Sequence, residues 1–308
     1  MSQQWSAEFK LEPNLAKHLI ESQFPQLKPV MLEFIGEGWD NVAYRVNRNY
    51  LFRFPRRQMG ADLVDVEWNL LHALAQRLPL PIPKPLFYGK PSKLFKWPFL
   101  GYYFLEGKSA CGAGLTMQER VHCAEPLAQF LKVLHAIDET EALKLGAGSD
   151  VLEKLNMHKR LPLALKNIEK IRELGLFQQC DRLQAMLENL KNVTDTGRKV
   201  LVHSDLYARH FLINEKREIC GVIDWGDVRI ASPAVDLQLI FSFLPQQARS
   251  VFLETYGTID EQTEQLALAR ALLHTLSIVV YAHDVDDQDL LAEGLVGLQL
   301  LVDVGCEL

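Results

Sequence analysis

Four side chains that can move protons or hold cations crowd one short stretch of this sequence: His203, Asp205, His210 and Asp224. They flank three short apolar runs, Val200-Leu-Val, Phe211-Leu-Ile and Ile219-Cys-Gly-Val-Ile, so each sits at the end of a predicted strand. A buried scaffold can aim strand-end residues at one point. A single acid in such a place is commonly a cap or a turn residue, but four such groups in one hairpin-sized region form a stronger pattern. The spacing is His203-x-Asp205-x-x-x-x-His210, with Asp224 nineteen residues after Asp205. Asp205, on a loop, can accept a hydroxyl proton. His210, opening the next strand, can reach a metal, and Asp224 across the hairpin can add a carboxylate to it. A carboxylate base beside metal ligands is what phosphoryl transfer requires.

The elements that must position these groups are legible in outline. Residues 13–24 read as a helix, with Leu15, Leu19, Ile20 and Phe24 at helical spacing and prolines at 25 and 29 to end it. Residues 31–54 read as three antiparallel strands joined by a Gly36-Glu-Gly38 turn and an Asn47-Arg-Asn turn. The glycine turn can bring backbone N–H groups close to an anion, although the same residues suit a plain hairpin turn. Arg53 stands inside the apolar run Leu51-Phe-Arg-Phe; facing inward, it needs an anionic partner, either Glu67 on the next helix (62–78) or a phosphate. Prolines at 79, 81, 83 and 85 enforce an extended segment, and two further apolar runs end at Glu106-Gly107. Beyond Gly107 the pattern turns helical, at 118–137, 163–174, 178–191 and from about 234 onward, with 200–236 as a small β-region. The layout is a β-rich half, a connector near 102–107 and a helical half, and a cleft between two lobes is the natural place for a ligand.

Bulk properties narrow the partners. With 308 residues, 48% hydrophobic and 23% charged, the chain has the composition of a soluble globular protein with room for two cores. A net charge of −6 argues against a nucleic-acid surface. The five cysteines, Cys111, Cys123, Cys180, Cys220 and Cys306, are scattered without C-x-x-C spacing, which fits a reducing compartment and a cytoplasmic location. The N-terminal residues lack a signal-peptide pattern, and the apolar run Leu272 to Ala282 is too short to span a bilayer, so no membrane partner is expected.

The spacing around Asp205 matches the protein-kinase template of a His-x-Asp loop followed by Asp-Phe-Gly, with His210 in the asparagine slot and Asp224-Trp225-Gly226 in the last. More closely, the chain resembles bacterial antibiotic phosphotransferases of the aminoglycoside/macrolide kinase family. His203-Ser-Asp205-Leu-Tyr207-Ala-Arg-His210 is similar to the His-Gly-Asp-Leu-Tyr-x-x-His loop of its macrolide 2′-phosphotransferase branch. Leu51-Phe-Arg53-Phe-Pro-Arg-Arg57, Ile223-Asp224-Trp225 and Pro233-Ala-Val-Asp236 resemble further segments of that branch. The resemblance implies an α+β, bilobal, protein-kinase-like fold: a nucleotide-binding N-lobe at 1–106 and a mostly helical C-lobe at 107–308 holding the catalytic loop and the acceptor site. It implies Asp205 as catalytic base, with His203 in support, and His210 and Asp224 as Mg²⁺ ligands. Arg53 stands for the phosphate-binding lysine with Glu67 as its partner. The Gly36 and Gly38 turn and the connector residues Tyr103 and Leu105 belong to the nucleotide site, for ATP or GTP, and Asp236 braces the catalytic loop. Two departures stand out: Ser204 occupies the usual glycine position, and Ser232 replaces the usual acid before Pro-Ala.

Asp224 and Asp236 are only twelve positions apart, which leaves no room for the peptide platform of a protein kinase, so a small-molecule hydroxyl is the expected acceptor and no protein substrate is expected. A macrolide stands ahead of an aminoglycoside; a metabolic small-alcohol kinase and a non-catalytic nucleotide-binding protein are the alternatives. The cluster Asp284, Asp286, Asp287 and Asp289 reads first as a helix cap and second as an amine-binding site. Phe241, Phe243 and Tyr281 suit either an acceptor pocket or core.

Overall fold

Alternating buried and open side chains set the first sheet. The computed structural model describes residues 8–38, 40–195 and 197–304, so residues 1–7, Trp39 and Cys306 lie outside the described residues. The chain divides into two units, Met1–Arg77 with Pro81–Leu105, and Leu78–Leu80 with Glu106–Leu308. In the first, β1 (Leu32–Glu37), β2 (Asn41–Val46), β3 (Tyr50–Pro55), β4 (Pro85–Gly89) and β5 (Phe99–Tyr103) form one antiparallel sheet in the order β1-β2-β3-β5-β4. Asn47 and Arg48 both take positive φ, as the tight turn between β2 and β3 demands. Phe52, Phe54, Phe95 and Phe99 pack with Ala16, Leu19 and Ile20 of the helix Pro13–Gln23 to make the core. A Cβ at Gly101 would lie 2.6 Å from the Phe52 ring, so only glycine lets the two strands close there. The helix expected over 62–78 is two pieces, Gln58–Asp62 and Val64–Leu74.

Helices build most of the second unit. The helix expected over 118–137 breaks at Cys123 into Met117–His122 and Ala124–Leu134. Pro126 explains the break, because its missing N–H cannot bond the carbonyl one turn back. Met157–Glu173 starts earlier than its apolar pattern suggests, since the Asn156 side chain accepts from Lys159 N at 3.1 Å and caps it. Glu261–Asp284 packs against Gln288–Val304, Met157–Glu173 and Ala234–Leu237. By length and composition this helix could cross a membrane, but 67% of its most apolar window is buried inside the protein. It therefore serves as the core helix onto which the others dock, and it outruns the apolar segment that marked it in the sequence.

Six short strands frame the region of interest: β6 (Lys108–Ser109), β7 (Gly148–Ser149), β8 (Val200–Val202), β9 (Phe211–Ile213), β10 (Ile219–Val222) and β11 (Arg229–Ala231). They form two sheets rather than one, ordered β10-β9-β6 and β7-β11-β8. The apolar run before Asp205 thus belongs to one sheet and the runs around His210 and Asp224 to the other.

Candidate active site

Every group that the spacing singled out between 203 and 236 converges in the second unit. The loop from β8 to β9 carries His203, Ser204 and Asp205, and a 3₁₀ turn, Ala208–His210, delivers His210 to the start of β9. Asp236, fully buried, accepts from His203 N at 2.7 Å and Ser204 N at 2.8 Å. His135 Nε2 lies 3.2 Å from the same carboxylate, with its Nδ1 2.8 Å from the Tyr256 hydroxyl. His203 sits in the core with Nε2 3.0 Å from the Ile223 carbonyl, which can only accept, so its proton belongs on Nε2. This bond ties the loop to the residue preceding Asp224. Ser204 adopts φ +75°, a left-handed conformation that glycine takes freely, and its carbonyl accepts from Lys154 Nζ at 2.9 Å. The same ammonium donates to Asp227 Oδ2 at 2.9 Å, so Lys154 clamps the Asp205 loop to the turn after Asp224.

The reactive groups stand within contact of one another. His210 Nδ1 lies 2.7 Å from the backbone carbonyl of Asp205, which assigns the proton to Nδ1 and leaves the Nε2 lone pair facing Asp224 Oδ2 at 3.4 Å. A lone pair and a carboxylate oxygen brought face to face form a donor set that a cation between them satisfies. Among the described residues no group of three or more His, Cys, Asp or Glu is arranged around one point. Two protein ligands completed by phosphate oxygens and water suit Mg²⁺, which keeps much of its own hydration. The residues present therefore fit a phosphate-bound divalent cation better than a self-contained metal centre. Asp224 takes φ +64°, a conformation aspartate tolerates, which swings its carboxylate across the hairpin.

Asp205 has a neighbour that the motif did not contain. His274, on Glu261–Asp284, places Nε2 3.5 Å from Asp205 Oδ1. Burial pushes the Asp205 carboxyl upward, but the bond from His274, the nearby imidazoles and the Lys154 ammonium outweigh it and hold it below the usual carboxylate range. Burial, then the Arg270 charge one turn away, push His274 down to about 4, against the pull of Asp205. A neutral His274 acts on Asp205 as an N–H donor, not as a cation. In the sequence His274 figured only as a polar interruption of an apolar run, and Lys154 gave no signal. An i, i+4 pair of basic residues, Arg270 and His274, inside an otherwise apolar helix is the clue that was available.

In the first unit, Arg53 Nη1 pairs with Glu67 Oε1 at 3.1 Å, and the Tyr102 hydroxyl donates to the same oxygen at 2.8 Å. Both charged side chains are largely buried, on the face of β3 opposite the core residues Phe52 and Phe54. Gly36 has open space where a Cβ would stand, as a backbone approached by a ligand needs. Gly38 departs from expectation: its N–H donates to Asn41 O at 2.9 Å and its carbonyl accepts from Arg56 Nη1 at 2.6 Å, so hairpin closure uses the N–H expected to face an anion. Tyr103 ends β5 with an exposed ring stacked on Tyr50, and Leu105 closes the unit. The acidic cluster resolves as a cap: Asp287 Oδ1 accepts from Leu290 N at 3.0 Å while Oδ2 meets Arg209 at 3.1 Å, and Asp284 pairs with Lys170. Phe241 and Phe243 are core residues, 3% and 2% exposed.

What such a constellation serves is phosphoryl transfer, on a kinase-like α+β fold. A family model described as the phosphotransferase enzyme family matches residues 32–272, and the chain belongs to that family. Viomycin phosphotransferase of Streptomyces vinaceus is 26% identical over 252 residues, covering 79% of this chain and 85% of that protein. The structure of the GDP complex of wild-type aminoglycoside 2′-phosphotransferase-IIIa is similar at a TM-score of 0.67 and 25% identity, over 96% of this chain and 99% of that one. Macrolide 2′-phosphotransferase type I shares the fold at a TM-score of 0.59 and 20% identity, over 96% and 98% of the two chains.

Proposed function

We propose that this phosphotransferase moves the γ-phosphoryl group of ATP or GTP to a hydroxyl of a small antibiotic-like molecule, of the macrolide or aminoglycoside class. The observation that carries this is the Asp205 carboxylate, held below its usual range within contact of His210 and His274, in a chain of this family. Asp205 takes the hydroxyl proton, the freed oxygen lone pair bonds to phosphorus, and the bond from phosphorus to the bridging oxygen breaks, releasing the nucleoside diphosphate. His210 and Asp224 would hold Mg²⁺, which when bound offsets the phosphate charge. Arg53, oriented by Glu67, would meet the phosphates. The GDP complex of the 2′-phosphotransferase-IIIa and the streptomycin-ATP complex of a second relative support a nucleoside triphosphate donor without choosing between ATP and GTP.

A small acceptor is supported by what fills the span between Asp224 and Asp236. A 3₁₀ turn, the paired strand β11 and a turn into Ala234–Leu237 occupy it, leaving no platform for a peptide. The engaged acids at 284–287 argue against that cluster as an amine site. The acidic net charge and free described cysteines accord with a cytoplasmic enzyme that uses neither nucleic acid nor membrane. The test is a nucleotide-consumption screen with ATP and GTP against macrolides, aminoglycosides and small metabolic alcohols, run beside Asp205→Ala. Turnover of one antibiotic class is expected, with the variant reduced by about 10²–10⁴ while nucleotide binding persists. Wild-type-like turnover by Asp205→Ala would remove the base assignment, and turnover of metabolic alcohols alone would replace the acceptor class.

A further inference from the structure

Asp205 lies between two imidazoles. His210 Nδ1 is 3.6 Å from Oδ2 and His274 Nε2 is 3.5 Å from Oδ1. The Tyr207 ring meets both edge-on, with centroids 4.7 Å from His210 and 4.9 Å from His274. The two flanks are not equivalent. The Nδ1 proton of His210 is already directed to the Asp205 carbonyl at 2.7 Å, so it is spent on the main chain and not on Oδ2. Oδ2 therefore keeps a lone pair free to take a proton. His274 Nε2 has Oδ1 as its contact, and it comes from the buried middle of its helix, between buried Leu273 and Thr275. An N–H on such a helix fixes a rotamer that a loop alone leaves free.

We propose that His274 is a positioning residue of the transfer reaction: its neutral Nε2–H holds Oδ1 of Asp205 and so reserves Oδ2 for the acceptor proton. This rests on Asp205 being the base. Burial and the Arg270 charge keep the ring neutral at physiological pH, so it orients the carboxylate without cancelling its charge. His274 also lines a narrow pocket with Tyr207, Ser242, Phe243 and Glu293, which gives a rival role as an acceptor wall.

Two measurements on the full-length protein decide it. In long-range proton–nitrogen correlation spectra of histidine-labelled protein at pH 7.5, His274 is expected as the neutral Nε2–H tautomer; an Nδ1–H tautomer or an imidazolium would overturn the proposal. In kinetics with Mg²⁺ and GTP or ATP, using the acceptor found in the screen or water where none is turned over, His274→Ala is expected to lower kcat about tenfold to a hundredfold. Nucleotide KM stays within about twofold, and His274→Gln, which restores an N–H donor, recovers most of the loss. Equal damage from Ala and Gln, or an acceptor KM that rises while kcat holds, sinks the positioning role. Asp205→Asn separates the layers: if it stays active the base assignment fails, whereas an inactive Asp205→Asn beside a wild-type-like His274→Ala defeats only the role of His274.

Discussion

Ser204 stands at φ +75° with its hydroxyl buried and unpartnered, two penalties in one residue. Glycine removes both, so Ser204→Gly is expected to raise unfolding stability by about 1 kcal/mol, read as a higher urea midpoint at unchanged slope. An unchanged midpoint would show that the loop bears no strain there. His210→Ala, by deleting the Nε2 that faces Asp224, is expected to raise the Mg²⁺ concentration needed for half-maximal activity; an identical titration would exclude His210 from the cation's ligands. At this scale Asp205, His210, Asp224 and Asp236 were legible because they share one short segment with a fixed spacing. His274 and Lys154 were not, because each lies far along the chain and only tertiary packing brings it to Asp205. Arg53 meets Glu67, one of the two partners that the cost of an unpaired charge called for. At Gly38 the plain hairpin turn accounts for the N–H, a use that spacing does not reveal.

Among the elements, the three-stranded meander over 31–54 was readable from alternation and two turn signals. The pairing of β11 with β8 and β7 was not, since strands of two or three residues carry no register signal and their partners are remote. The break at Cys123 needed more weight on Pro126 than on the apolar stripe that runs through it. Farther on, the helix Met117–His122 is tied to Gln288–Val304 by Arg120 and Glu293, a buried pair with contacts of 2.7 and 2.6 Å. Removing one partner strands a buried charge, so Glu293→Ala is expected to cost about 3–5 kcal/mol in chemical denaturation. Replacing both residues with leucine or methionine should cost clearly less, and equal losses would mean that packing rather than charge holds the two helices.

For the molecule as a whole, acid sensitivity follows from histidines kept neutral. His274 binds its proton at about 4 when folded, against an ordinary 6.5, and burial lowers His203 as well. Between those values the unfolded chain takes up protons that the folded one refuses. Stability is then complete above about pH 6.5 and falls as the pH drops toward about 4. Urea unfolding at pH 7, 5.5 and 4.5 should show that decline, with a shallower slope in His274→Gln; parallel slopes would place the acid sensitivity elsewhere. The change from β-rich to helical character near Gly107 was visible in composition and periodicity, because each class of element repeats over many residues. The acceptor was not, since the helices expected to hold it carry apolar side chains that serve core and pocket alike.

The grip of Asp236 on the catalytic loop is entirely through main-chain amides, those of His203 and Ser204. Such a grip does not read side-chain identity, so a substitution at 204 leaves the register of Asp205 intact even where, as with serine at φ +75°, it costs stability. A changed side chain in this loop need not signal a changed reaction, since what holds the loop is its main chain.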